Sequence, residues 1–387
     1  MEKDKASIIQ NRRHSLQFLD ALRGIAALYV MISHAKWLLW EGYYQGFIKD
    51  SARYSVIEKI SVYALSIFKY NHQAVIFFFV LSGFVIHLKY SKNIATYGDA
   101  GFSVKKYLVK RIKRIYPPFL LSMAITFILD GIGSHLNYTI YYGATPDNII
   151  NTIITKQHDL VNFIGNLFFI QNEYIGVWGT NGPSWSLKYE WWFYMLYPIL
   201  IYINKKSVLN SLLAVTALFI VSNLVPNLVN ISFFIVVLKY LALWWLGAVL
   251  ADVYNKRIPI NHHKFCFLVF LFPLLIIIEI LKINIDFFAN DFLWALGFFG
   301  LLNLFFYLQE KGFVFSWTMK LQWLGDCSYT LYIIHFPILV FLNGVILHYT
   351  NNSMPRSLVF IFPGIVISFV FAYLLHFIVE KPFTTKR

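Results

Sequence analysis

Arg23-Gly-Ile-Ala-Ala-Leu-Tyr-Val-Met-Ile-Ser-His34 places an arginine and a histidine inside an apolar run, Ala21–Trp40, long enough to cross a bilayer. At about 100° per residue, the eleven steps from Arg23 to His34 return to nearly the same helix face. The two side chains then stand about 16 Å apart along the axis. Ionisable groups at membrane depth are costly, so those that persist face a protein interior and mark a site. The pattern predicts a transmembrane helix that holds an anion at one depth and takes a proton at another.

Composition agrees with that reading. Of 387 residues, 58% are hydrophobic and 13% charged, about half the charged share of a soluble domain. Such a chain is a polytopic membrane protein. Cys266 and Cys327 fall at the ends of apolar runs and give neither a disulfide framework nor metal-ligand spacing. No His/Asp/Glu cluster has ligand spacing either, so no metal is expected. Met1–Ser15 is polar and basic and leads straight into a full-length span, so a removable signal peptide is not expected.

Ten apolar windows emerge, at about 18–40, 72–90, 115–131, 185–203, 208–226, 232–252, 264–282, 288–308, 326–348 and 357–379. The fold class is therefore all-α, with about ten transmembrane helices and no soluble domain. A barrel would show short alternating strands instead. Window 115–131 is the weakest, with Pro117 and Pro118 expected in a first turn that needs no backbone donors. One membrane domain over 18–382 is expected, flanked by cytoplasmic tails at 1–17 and 383–387.

With both termini inside, the inner segments collect 22 of the 33 Lys and Arg, eight of them between Lys89 and Arg114. That bias sets the orientation, and the net charge of +14 is then a topology signal that gives no reason to expect nucleic acid. The longest connections, 41–71 and 132–184 outside and 91–114 inside, are of a length that usually serves function. The outer two hold Asp50, Glu58, Asp147, Asp159 and Glu173 among many Asn, Tyr and Gln. Such a surface suits carbohydrate.

Six blocks resemble a known family. Phe18-Leu-Asp-Ala-Leu-Arg-Gly-Ile-Ala-Ala27 with His34 is similar to the opening signature of the acyltransferase-3 integral membrane enzymes. So are Phe77-Phe-Phe-Val-Leu-Ser-Gly-Phe-Val-Ile86, Arg111-Ile-Lys-Arg-Ile-Tyr-Pro117 and Pro183-Ser-Trp-Ser-Leu-Lys-Tyr-Glu190. Leu324-Gly-Asp-Cys-Ser-Tyr-Thr-Leu-Tyr332 with His335 and Pro337, and Glu380-Lys-Pro382, complete the set in family order. The resemblance implies transfer of an acyl group, often acetyl, from cytoplasmic acyl-CoA to a hydroxyl, usually of a cell-surface or exported glycan and sometimes of a small molecule, in a bacterial inner membrane. Acyl-CoA is then a donor substrate and no cofactor is held permanently. The implied partners are acyl-CoA, a glycan or glycolipid acceptor and the bilayer, and a homo-oligomer is compatible with them. The hydrolase-like carboxy-terminal domain of some relatives is expected to be missing.

Depth counting gives roles to residues. Arg23 lies about 8 Å from the inner face and His34 about 24 Å deep. Glu190, about 9 Å below the outer face on the fourth span, falls near the level of His34. A neutral histidine can deprotonate a hydroxyl while a carboxylate orients it and stabilises the imidazolium. His34, Glu190 and Arg23 are the catalytic candidates. Arg111 and Arg114, three apart on one helix face, fit the phosphates of a CoA nucleotide by their planar forks. His335 is expected either to line the acyl-CoA tunnel or to close a structural bond. Ser184, Trp185 and Lys188 are candidates for the acceptor entrance, and the unusual Lys188 leaves acceptor identity open. Gly24 and Gly83 read as close-packing positions, with Ser82 as interhelical glue. His72, His87, His262 and His263 are expected to be solvated at span ends. The rival reading is a transporter or flippase of a lipid-linked glycan, for which no inverted repeat or paired broken helices speak.

Overall fold

The computed structural model describes residues 16–154, 157–171, 175–224 and 232–383. Most of both expected tails, 1–15 and 384–387, and Glu173 lie outside the described residues. Among those described, regular structure is helical throughout. Each of the ten windows falls on a helix. These are α1 (Gln17–Leu39), α2 (Asn71–Tyr97), α3 (Val104–His135), α4 (Trp185–Lys206) and α5 (Val208–Leu224). They continue with α6 (Ser232–Tyr254), α7 (His262–Ile280), α8 (Phe287–Glu310), α9 (Ser328–Tyr349) and α10 (Ile361–Val379).

Eight of the described helices are long and apolar enough to cross a membrane, which makes this a multi-pass membrane protein. The two that fall short are α4, which carries Lys188, Glu190, Lys205 and Lys206, and α5, with 17 residues. At 1.5 Å per residue the described part of α5 covers about 25 Å of a ~30 Å hydrocarbon core. Apolarity found the helices but not their ends. α2 runs to Tyr97 and α3 begins at Val104, so the expected 91–114 connection shrinks to six residues. Lys and Arg are good helix formers and continue a helix beyond its apolar part. Pro117 and Pro118 consequently sit in the interior of α3 rather than in a first turn, an arrangement membrane helices tolerate when neighbours serve the freed backbone groups.

The long connections carry short helices of their own. Val56–Leu65 starts with a capping box between Ser55 and Glu58. Leu160–Leu167 starts at Asp159, whose side chain accepts from the Asn162 amide. That bond holds the Asp159 carboxyl below its usual range.

The chain divides into two compact units. The first comprises Met1–Ala21, Val75–Arg111 and Tyr189–Leu321. In it α2 and α6 pack through glycines on both sides. A Cβ on Gly83 would stand 2.0 Å from the Trp244 carbonyl oxygen, and one on Gly247 would stand 1.9 Å from that of Val80. Small residues allow this approach, which gains contact along both backbones. Gly247→Val should therefore force the two helices apart and lower stability by about 3 kcal/mol or more. A thermal melt of the detergent-solubilised protein checks this, and an unchanged midpoint would remove the packing argument.

The second unit comprises Leu22–Ala74, Ile112–Lys188 and Gln322–Arg387. Its core joins Leu38, Leu39 and Trp40 to Tyr138, Ile140 and Tyr141 and to Phe336 and Leu339 of α9. Gly24 meets the turn before α9, where a Cβ would lie 2.4 Å from Leu324 Cβ. Arg23 reinforces that contact by donating from Nε to Ser328 Oγ at 2.8 Å and from Nη2 to the Gly325 carbonyl. Gly325 lies in the last turn of the helix Ser316–Asp326, and a cation suits the carbonyls of a helix end.

Candidate active site

In the second unit α1 and α9 bring two imidazoles together. His34 Nδ1 lies 2.8 Å from His335 Nε2, with ring centroids 5.2 Å apart and planes within 10° of parallel. Phe336 stands edge-on to His34 at 5.0 Å, which leaves the ring little freedom to turn. His335 is fully buried and its Nδ1 lies 2.9 Å from the Leu331 carbonyl, one helical turn back. His34 is only partly buried, and its Nε2 meets the side-chain nitrogen of Asn71 at 3.1 Å. His34 thus keeps some accessible surface, while His335 behind it has none. Of the two expectations for His335, the structural bond is present, to the Leu331 carbonyl, and the contact with His34 comes in addition to it.

Arg23, eleven residues earlier on α1, is engaged by Ser328 and Gly325 as described above. It braces α1 against the start of the helix that carries His335. Glu190 was expected to orient His34. Both ring nitrogens of His34 are instead taken by His335 and Asn71. Glu190 is held within the first unit by the Tyr194 hydroxyl and by Ser82 Oγ at 3.1 Å, and Ser82 in turn accepts from Trp244 Nε1 at 3.2 Å. Ser82 thus links three helices through a carboxylate, a stronger role than helix glue.

The two arginines of Arg111-x-x-Arg114 have different surroundings. Arg114 forms an ion pair of 2.7 Å with the buried Glu380 and lies 5.4 Å from the centre of the Tyr329 ring. Glu380 also accepts from Thr330 N at 3.1 Å and Thr330 Oγ1 at 2.7 Å. The third and sixth sequence blocks therefore meet in the second unit. Arg111, in the first unit, lies over Tyr107 and Tyr194 at 5.6 and 5.5 Å. It has no ion-pair partner among the described residues, and its buried Nε has no hydrogen-bond partner there. Lys105, Lys106, Lys110 and Lys113 are exposed around it. The two forks expected on one nucleotide thus differ in their surroundings: Arg114 is paired with Glu380, while Arg111 is held between two tyrosine rings.

Of the acceptor candidates, Ser184 is buried and donates to the Asn181 carbonyl at 2.8 Å. Trp185 stacks on His72, 5.7 Å between centroids, and Lys188 Nζ donates to the Gln171 carbonyl at 3.0 Å. Two histidines expected in solvent are buried. His262 lies 2.7 Å from Asn303 Oδ1. His87 bridges Tyr197 at 2.8 Å and Asp252 at 3.1 Å. Asp252 also accepts from Ser91, Asn204 and Arg257. Span-end counting placed these histidines in water because position along one helix says nothing of its neighbours, Tyr197, Trp245 and Asp252 around His87 and Asn303 and Phe306 around His262. Asn71, Tyr194 and the His87–Asp252 cluster escaped sequence reasoning. Only Asn71 carried a usable signal, as an amide beside His72 at the mouth of an apolar span.

Comparison with known proteins follows the same outline. A curated protein from Haemophilus influenzae (strain ATCC 51907 / DSM 11121 / KW20 / Rd), described as uncharacterized, is 26% identical over 189 residues, covering 47% of this chain and 68% of its own. No solved structure matches. The sequence model of a family described as "Acyltransferase domain" matches residues 16–377, nearly the whole length over which the six blocks are spread. The chain belongs to the acyltransferase-3 family of membrane acyltransferases.

Proposed function

We propose that this membrane acyltransferase transfers an acyl group, acetyl as the first choice, from cytoplasmic acyl-CoA to a hydroxyl of a glycan or glycolipid on the outer side of a bacterial inner membrane. The single observation that carries the reading is the half-buried His34 backed by the fully buried His335. An imidazole held in this way, open on one side, is suited to general base catalysis on a hydroxyl. Arg111, a cation with no carboxylate partner among the described residues, supports a phosphate-bearing donor. The Lys/Arg bias supports both termini on the cytoplasmic side.

The chemistry balances without a covalent relay. The acceptor hydroxyl gives its proton to His34 and its oxygen attacks the thioester carbonyl. The new C–O bond forms as the C–S bond breaks, and the departing thiolate takes the proton from His34. Arg23 acts by position, keeping α1 in register with the start of α9. Trp185 and Lys188 are the candidates to guide the acceptor.

Purified protein incubated with radiolabelled acetyl-CoA and a glycolipid acceptor extract should release free CoA thiol and label the acceptor. A donor that stays intact across a panel of acceptors would overturn the reading and favour a carrier of lipid-linked glycan.

A further inference from the structure

We propose that His335 is a positioning residue that selects the tautomer of His34, and that Asn71 holds the reactive lone pair until the acceptor hydroxyl displaces it. This rests on His34 being the base. The Leu331 carbonyl can only accept, so the His335 nitrogen 2.9 Å from it, Nδ1, carries a hydrogen. A neutral imidazole has one N–H, so Nε2 of His335 bears a lone pair. The His34 nitrogen 2.8 Å away, Nδ1, must then be the donor. His34 Nε2 is left with its lone pair, and the atom facing it at 3.1 Å is the side-chain nitrogen of Asn71, a donor. Each step of the chain from Leu331 to Asn71 pairs one donor with one acceptor, and one carbonyl oxygen sets the direction of all of them.

Two consequences follow for the reaction. His34 meets the acceptor with Nε2 unprotonated, so no tautomer exchange has to precede proton transfer. When Nε2 takes the hydroxyl proton, the imidazolium keeps its Nδ1–H bond to the buried His335, which helps to stabilise the new charge without a carboxylate. Asn71 satisfies Nε2 in the resting protein, where an unpaired ring nitrogen would be costly. A hydroxyl group can replace it, donating to the same lone pair.

The test reads the tautomer directly. Two-bond 15N–1H spectra of the full-length protein, labelled at histidine in detergent micelles, should show neutral His34 and His335 both protonated at Nδ1. In His335→Phe the His34 signal should move toward the Nε2–H form. Nε2–H on His34 in the wild type, or no change in His335→Phe, would overturn the proposal while leaving His34 free to be the base. Turnover gives the second arm. In Asn71→Asp the carboxylate only accepts, so Nε2 must carry the proton, and the rate should fall about 100-fold or more. Asn71→Ala, which frees the lone pair, should stay within about tenfold of wild type. Equal rates for the two variants would overturn the role of Asn71. Full activity in His34→Ala would instead remove the underlying reading, whatever the spectra show.

Discussion

His34→Ala should lower acyl transfer by about 10²–10⁴-fold at matched folded concentration, with donor affinity close to wild type. The side chain is only partly buried, and among the described residues its polar contacts are with His335 and Asn71. Its loss leaves His335 bonded to Leu331 and the helix packing around Arg23 and Gly24 in place. A packing histidine would behave differently, reducing yield and melting temperature with little change in rate per folded molecule. The double variant His34→Ala/His335→Ala should be scarcely slower than His34→Ala alone, because residues that act as a unit are strongly non-additive. Measured turnover of the single and double variants, with a melt on each, decides the matter. Wild-type rates for His34→Ala would end the mechanism.

Asp252→Ala should be the most damaging change in the first unit, destabilising the protein by about 3–5 kcal/mol. Asp252 is 1% exposed and receives bonds from Arg257 at 2.8 Å, Asn204 at 2.9 Å, Ser91 at 2.6 Å and His87 at 3.1 Å. Alanine would leave the largely buried Arg257 guanidinium without its counter-charge and remove one acceptor each from Ser91, Asn204 and His87. That is the penalty for breaking a buried pair from one side, which greatly exceeds what the pair gains over apolar packing. Asp252→Asn, which keeps an acceptor oxygen, should lose less. The readout is the melting midpoint and monodisperse yield in detergent. A wild-type midpoint for Asp252→Ala would mean that water or lipid reaches the cluster and that it does not anchor α2, α4 and α6.

The helices were legible because hydrocarbon imposes one rule on every residue it touches. A run of about twenty apolar residues is helical and spans, so all ten windows fell on helices. Their ends were not legible, since a helix leaves the apolar layer without changing its backbone. The Lys89–Arg114 segment shows this, with α2 and α3 carrying their helices through it to within six residues of each other. The blocks that resemble the family marked Arg23, His34, Arg111 and Arg114 as special, but type and spacing along one helix say nothing about partners on another. Arg111 and Arg114 are three residues apart, yet one lies over Tyr107 and Tyr194 and the other is paired with Glu380.

Sequence alone therefore determined that this is an all-helical, multi-pass membrane acyltransferase with His34 as its most conspicuous ionisable group. Those conclusions depend on composition, hydropathy and ordered motifs, which are properties of the chain read in one dimension. Tertiary structure decided what His34 touches. Depth counting supplied one coordinate and proposed Glu190, whereas the ring against Nδ1 belongs to His335, 301 residues away in sequence. It also decided that Arg114 closes on Glu380, and that His87 is buried against Asp252 rather than solvated. Such pairings are set by the rotation of each helix about its axis and by its choice of neighbours. Glycines such as Gly24, Gly83 and Gly247 govern that choice through close approach, and no pattern confined to a single helix records it.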